Sequence, residues 1–208
     1  MLIPYMTLLS NHRMSVTGIV HIGAHTCEEL VQYNQGGIST DKVIWFEAMQ
    51  ELVDRCVREI PRVRIYQAVL SNVDGQETNF IVTNNYQSSS LLELKDHLVM
   101  HPDIHEIRRD RVVTTTFKTY IEKNKVDVSF ANFLNLDIQG MELPVLAGMG
   151  KYLDSFKYIY TEVNTRELYK NCTLLNELDL FLNIKGFVRV DIAMTSWGWG
   201  DALYIRRD

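Results

Sequence analysis

The chain is poor in cysteine, has no basic block and no phosphate-binding loop, and contains no apolar run long enough to cross a membrane. Each shortage excludes something. Its three cysteines, Cys27, Cys56 and Cys172, are an odd number without CxxC spacing. That argues against a disulfide framework and a zinc knuckle, and it points to a reducing compartment. Lysine and arginine total 21 against 26 acidic residues, for a net charge of −5. A chain of that balance is a poor candidate for nucleic-acid binding through phosphate neutralisation. Its densest basic stretch, "HEIRRDRVV" from His105, is interrupted by Glu106 and Asp110 and reads as a solvated face. The opening "MLIPYMTLLSNHR" has neither a cationic start nor a sufficient apolar run, so a signal peptide and a membrane span are not expected and a cytoplasmic location is. The absence of GxxxxGK[ST] excludes a P-loop NTPase.

What is present is alternation. With 208 residues, 46% hydrophobic and 23% charged, the chain suits one soluble domain spanning 1–208, with a lead-in over 1–15. "SVTGIVHI", "DKVIWF", "RVRIYQAVL", "FANFLNLD" and "FKYIYTEVN" read as strands. "EELVQYN", "QELVDRCVREI", "ELPVLAGMGKYL" and "TLLNELDLFLNIKG" read as helices. "ETNFIVT" alternates as a strand does, and "FVRVDIAM" and "DALYIRR" are two final strands able to form a hairpin. The fold class expected is α/β: a doubly wound, mostly parallel sheet with one antiparallel edge strand. Residues 84–111 are less regular and are expected to form a cap or substrate loop.

In such sheets ligands bind beyond the carboxyl ends of the strands, where strand order reverses. Gly23 and His25 follow the first strand, Glu47 ends the second, Ala68 to Ser71 follow the third, and Asp137 and Glu162 end the next two. Glu47 stands 24 residues after Gly23, a suitable distance for a ribose-binding carboxylate. A dinucleotide needs more glycines than "GAHTCE" offers, which disfavours an NAD-dependent oxidoreductase. A ribose-bearing ligand without phosphate, S-adenosyl-L-methionine, fits better.

The blocks "IVHIGAHTCEEL", "VIWFEAM", "QAVLSNVDG", "YQSSSLLE", "LNLDIQGMELPVLAGM", "YIYTEVNTRELY" and "GFVRV...WGWGDALYI" resemble, in order and spacing, the FkbM family of S-adenosylmethionine-dependent O-methyltransferases. The resemblance runs from about Val16 to Arg206, and "DIQGMELPVLAG" is its most specific block. His21 stands where the family often has Asp, and His25 where Asn is common. The resemblance implies a class I Rossmann-like methyltransferase fold and a cofactor site of His21, Gly23, Ala24, His25, Thr26, Glu47, Ala48, Ala68, Val69, Ser71, Asp137 and Gln139. His21 reads equally well as a strand histidine satisfied by a backbone partner.

Methyl transfer to oxygen requires alignment and a base for the hydroxyl proton. Asp137, Glu162 and His101 are the candidate catalytic residues. Glu142 is placed with the acceptor-site residues, although a first-turn acid also suits a helix N-terminus. Glu162 with Asn164 could hold vicinal hydroxyls, and Ser89 and Ser90 could supply further polar contacts. Tyr86, Tyr169, Trp197 and Trp199 could form an aromatic platform for a sugar. No metal is assigned, although Asp137 with Glu162 could make a carboxylate cation site. The acceptor expected is a small molecule or oligosaccharide, with glycosyltransferase domains as a fused or associated partner. The alternative of another class is an inactive, methyltransferase-like nucleoside-binding module.

Overall fold

Residues 1–207 are described by a computed structural model. Helix α1 (Tyr5–Asn11) precedes β1 (Ile19–Ile22), α2 (Leu30–Gln35), β2 (Val43–Glu47), α3 (Gln50–Glu59) and β3 (Arg64–Gln67). A short β4 (Leu70–Ser71) leads to β5 (Glu77–Thr83), a single-turn α4 (His97–Met100), β6 (Glu106–Val113) and β7 (Thr115–Thr116). The chain continues through α5 (Phe117–Asn124), β8 (Phe133–Leu136), α6 (Glu142–Gly148), β9 (Tyr158–Asn164) and α7 (Leu175–Ile184), ending in β10 (Phe187–Met194) and β11 (Trp199–Arg206).

Every residue of β1, β2, β8 and β9 is buried, as expected of parallel strands covered on both faces. They form the middle of a seven-stranded sheet in the order β3-β2-β1-β8-β9-β11-β10. One apolar layer packs the α5, α6 and α7 face and includes Val20, Phe117, Leu134, Leu146 and Leu182. The other packs the α1, α2 and α3 face and includes Tyr5, Tyr33, Trp45, Cys56 and Phe133. Helix α3 follows its sequence pattern: Leu52, Val53 and Cys56 are buried on one side, and the helix stops just ahead of Pro61. Among the described residues no helix is long and apolar enough to cross a membrane.

The structure refines four expectations. The single antiparallel strand is β11, but it lies one place inside the edge, between β9 and β10, because it pairs with both. The expected third strand is broken: β3 pairs with β2, and after Ala68 and Val69 the chain turns so that β4 pairs with β7 instead. The lead-in contains α1, which buries Tyr5 edge-on against Tyr33 and Phe133, with ring centroids 5.0 and 5.6 Å apart. Finally, the end of 84–111 is regular, because from Glu106 onward β6 pairs antiparallel with β5 in a separate two-stranded sheet. Its arginines are ion-paired at the surface, Arg109 with Glu106 at 2.7 Å and Arg111 with Glu77 at 3.2 Å.

Candidate active site

Strand β1 lies between β2 and β8, so the chain leaves it in one direction and later returns on its other side. A cavity of about 580 Å³ opens at that reversal, where the carboxyl ends of β1, β2, β8 and β9 meet the 84–111 segment.

At one end, Gly23 adopts φ +92°, and a Cβ there would stand 1.8 Å from the Asp137 carbonyl oxygen. Only glycine lets the two strand ends approach this closely. The Gly23 and Ala24 amides both donate to the Phe46 carbonyl, at 2.9 and 3.0 Å, which pins the loop to β2. Glu47 is buried, and its two oxygens accept from the amides of His25 (2.8 Å) and Met49 (2.9 Å). Burial raises its pKa above the usual carboxylate value, and the amide hydrogen bonds oppose that rise. Ala48, Ala68 and Val69 line the same end, with His25, whose pKa is raised by its hydrogen bond to Glu28.

At the other end, three side chains are tied together. The Gln139 amide donates to Asp137 Oδ1 at 2.6 Å and to Glu162 Oε2 at 2.8 Å. The Tyr169 hydroxyl donates to Gln139 Oε1 at 2.6 Å, which fixes the direction of that amide. Burial, followed by the charges of Asp137 and Glu142, raises the pKa of Glu162 well above its ordinary value. Asp201 also lines this end and accepts from the Tyr160 hydroxyl at 2.6 Å. It faces Glu162 across the β11–β9 pairing. Sequence reasoning assigned Asp201 no role, although it opens "DALYI" in one of the blocks that carry the family resemblance.

Fourteen of the residues singled out from sequence line the cavity: Gly23, Ala24, His25, Glu47, Ala48, Ala68, Val69, Tyr86, Ser89, His101, Asp137, Gln139, Glu162 and Trp199. Eight do not, and their positions explain why. His21 lies within the core, its ring stacked on Trp45 at 4.5 Å and its Nδ1 3.0 Å from the Tyr33 hydroxyl, which in turn accepts from Asn135 at 2.7 Å. Burial pushes its pKa down to about 3, so it is neutral, and a backbone hydrogen bond at Gly23 joins the Tyr33 hydroxyl in satisfying it. Thr26 faces the Glu28 carboxylate, to which its hydroxyl donates at 2.7 Å. Ser71 lies beneath α6, where its carbonyl approaches Gly148.

Glu142 is turned inward and accepts from the amides of Gly140 (3.1 Å) and Ile138 (3.3 Å), stapling the β8–α6 loop from below. Ser90 donates to the Gln139 carbonyl at 2.9 Å, and Tyr169 likewise stands behind Gln139, so both support the wall without lining it. Asn164 is fully buried at the end of β9, with neither its amide nitrogen nor its carbonyl oxygen hydrogen-bonded. Trp197 is 47% exposed on the turn before β11, its ring 5.8 Å from that of His101.

His97 is a residue that sequence reasoning missed. It lines the cavity beside His101, ring centroids 4.9 Å apart, and its buried Nδ1 has no partner. Burial and His101 push its pKa down to about 4. The expectation that no histidine pair has HxxxH spacing is wrong: "HLVMH", from His97 to His101, has it. The pair stands alone, since no group of three or more metal-ligating side chains occurs among the described residues.

Residues 20–189 match the family model described as the methyltransferase FkbM domain. No curated protein matches the chain. Solved structures of similar fold include methyltransferase FkbM from Methylobacillus flagellatus KT, with a TM-score of 0.53 and 12% identity, covering 91% of this chain and 43% of that one. Magnesium protoporphyrin IX methyltransferase from Synechocystis PCC 6803, solved with bound SAM, has a TM-score of 0.52 and 9% identity, covering 96% and 74%. The O-methyltransferase from Bacillus cereus in complex with SAH has a TM-score of 0.51 and 13% identity, covering 92% and 74%. Identities this low establish a shared fold, and the family match over most of the length adds membership: the chain belongs to the FkbM methyltransferase domain family.

Proposed function

We propose that the chain is an S-adenosylmethionine-dependent O-methyltransferase that methylates a hydroxyl of a sugar or glycan. The observation that carries this reading is Glu47: a buried carboxylate held by two backbone amides, beside a loop that only glycine can bring so close. A carboxylate at this strand end suits the two hydroxyls of a ribose, and the small side chains of Ala48 and Ala68 leave room for a flat base. The residues therefore fit the cofactor. When bound, it supplies a methyl carbon activated by a sulfonium.

This chain's own residues account for the rest of the chemistry. Glu47 and Gly23 position the nucleoside. Burial favours the protonated form of Glu162, while its neighbour Asp137 serves as the base that orients the acceptor hydroxyl and takes its proton. Gln139 keeps the two acids in register. The 84–111 segment limits water at the reacting atoms. Tyr86, Trp199 and Ser89 give the acceptor wall both apolar faces and hydrogen-bonding groups, as a sugar requires. Among the described residues no lysine or arginine lines the cavity, so a neutral acceptor fits better than a phosphorylated one. Association with glycosyltransferase domains would supply such an acceptor.

Calorimetric titration with S-adenosylhomocysteine tests the cofactor assignment, and Glu47→Ala is expected to weaken binding by tenfold or more. Asp137→Asn is expected to keep that binding and lose most turnover; undiminished turnover would remove Asp137 from the mechanism. Labelled S-adenosylmethionine offered with sugars, oligosaccharides, polyketides and phenols, and read by mass, tests the acceptor class. Product on phenols alone would overturn the sugar assignment, and binding without transfer to any acceptor would favour the inactive module.

A further inference from the structure

The two amides that hold Glu47 belong to different segments: His25 lies in the loop after β1, and Met49 stands at the start of α3. The same two segments are joined by a second contact. Cys27 in the loop and Cys56 on α3 are both buried thiols, with their sulfurs 3.6 Å apart. Cys56 Sγ also lies 3.6 Å from the His25 carbonyl oxygen, so the pair adjoins the residue whose amide reaches Glu47. Cys27 has φ +58°, a conformation with little latitude for adjustment in place.

We propose that Cys27 and Cys56 are a modification site, a dithiol that a hydroperoxide converts to a disulfide and thereby weakens nucleoside binding at Glu47. The ligand half of this proposal rests on the cofactor reading given above. Cys56 thiolate attacks hydrogen peroxide, forming an S–O bond as the O–O bond breaks; the expelled hydroxide takes up the proton that Cys56 released and leaves as the first water. Cys27 then attacks the Cys56 sulfur, giving up its proton; the S–S bond forms, the S–O bond breaks and a second water leaves. Two thiols lose two electrons, and one peroxide gains them. Hydrogen bonding from Cys27 lowers the Cys56 pKa, which favours Cys56 as the attacking sulfur.

Closing a 3.6 Å separation to a disulfide bond requires the sulfurs to approach by roughly 1.5 Å. The hydrogen bonds to Glu47, at 2.8 and 2.9 Å, have little slack to absorb that movement. The third thiol, Cys172, packs with Leu168 and Tyr169 in a separate cluster and serves as an internal control.

The experiment treats the protein with hydrogen peroxide, maps disulfides by alkylation and peptide mass, and titrates S-adenosylhomocysteine into the reduced and oxidised forms. The expected result is a Cys27–Cys56 disulfide with Cys172 still free, binding weaker by tenfold or more, and recovery with a thiol reductant. Cys56→Ala and Cys27→Ala should each bind like the reduced protein and ignore peroxide. Both thiols remaining alkylatable after peroxide would overturn the proposal, as would a disulfide that leaves affinity unchanged. A reduced protein that does not bind S-adenosylhomocysteine would overturn the cofactor reading and the ligand half of the proposal together, whereas the mapped disulfide is judged independently.

Discussion

Glu142 keeps one oxygen on two loop amides and leaves the other unpartnered, and burial pushes its pKa up to about 7. An unfolded glutamate titrates at about 4.3. Between those values the folded protein binds a proton that the unfolded chain has released. The stabilisation is complete below the unfolded value and is lost as pH rises through about 7. Glu142→Gln removes this titration. Chemical denaturation at pH 5 and pH 8 should show the wild type losing more stability than the variant over that interval, by on the order of 1–3 kcal/mol. Parallel losses would mean that another group titrates. At this scale the sequence exposed the strand-end acids well: Glu47, Asp137 and Glu162 do line the cavity, because the carboxyl ends of parallel strands converge. It could not show which way a loop residue turns. Glu142 faces inward to hold amides of the β8–α6 loop, Ser90 is turned toward the Gln139 carbonyl by its bridge to Ile81, and His21 faces the helix layer because β1 is covered on both sides.

Among the elements, the alternation of strand and helix was legible from period and punctuation, and the break after β3 was not. "RVRIYQAVL" reads as one continuous strand, yet its second half leaves the sheet to pair with β7. The reason is tertiary: α6 crosses here, and Gly148 sits so close to β4 that a Cβ would meet the Ser71 carbonyl at 2.3 Å. Gly148→Ala should force α6 away from β4 at a cost of about 1–3 kcal/mol, read from the urea midpoint. An unchanged midpoint would show that the helix can shift freely. The β5–β6 pairing was hidden for a different reason. Arg108, Arg109, Asp110 and Arg111 run consecutively along β6, and its Ile107 and Val113 are exposed, so it reads as solvated surface even though it is paired.

Across the molecule, the cavity collects Glu29, Glu47, Glu162 and Asp201, and burial raises the pKa of each. Glu29 is pushed up to about 7, so the lining gains negative charge as pH rises through neutrality. S-adenosylmethionine carries a sulfonium that S-adenosylhomocysteine lacks. The difference in thermal stabilisation between the two should therefore favour the sulfonium increasingly from pH 6 to pH 8, by on the order of 1 kcal/mol. A constant difference would place the sulfur away from these acids.

Strand β11 slots between β9 and β10 instead of following them. During synthesis from the N-terminus, β9 must wait with a bare side until the final strand has left the ribosome. A chain stopped before Trp199 would present that side, with its open backbone hydrogen bonds, to any strand nearby. On this side of the sheet, among the described residues, the rim is β10, whose Arg189 and Asp191 flank a bulge that makes it a poor template for another copy.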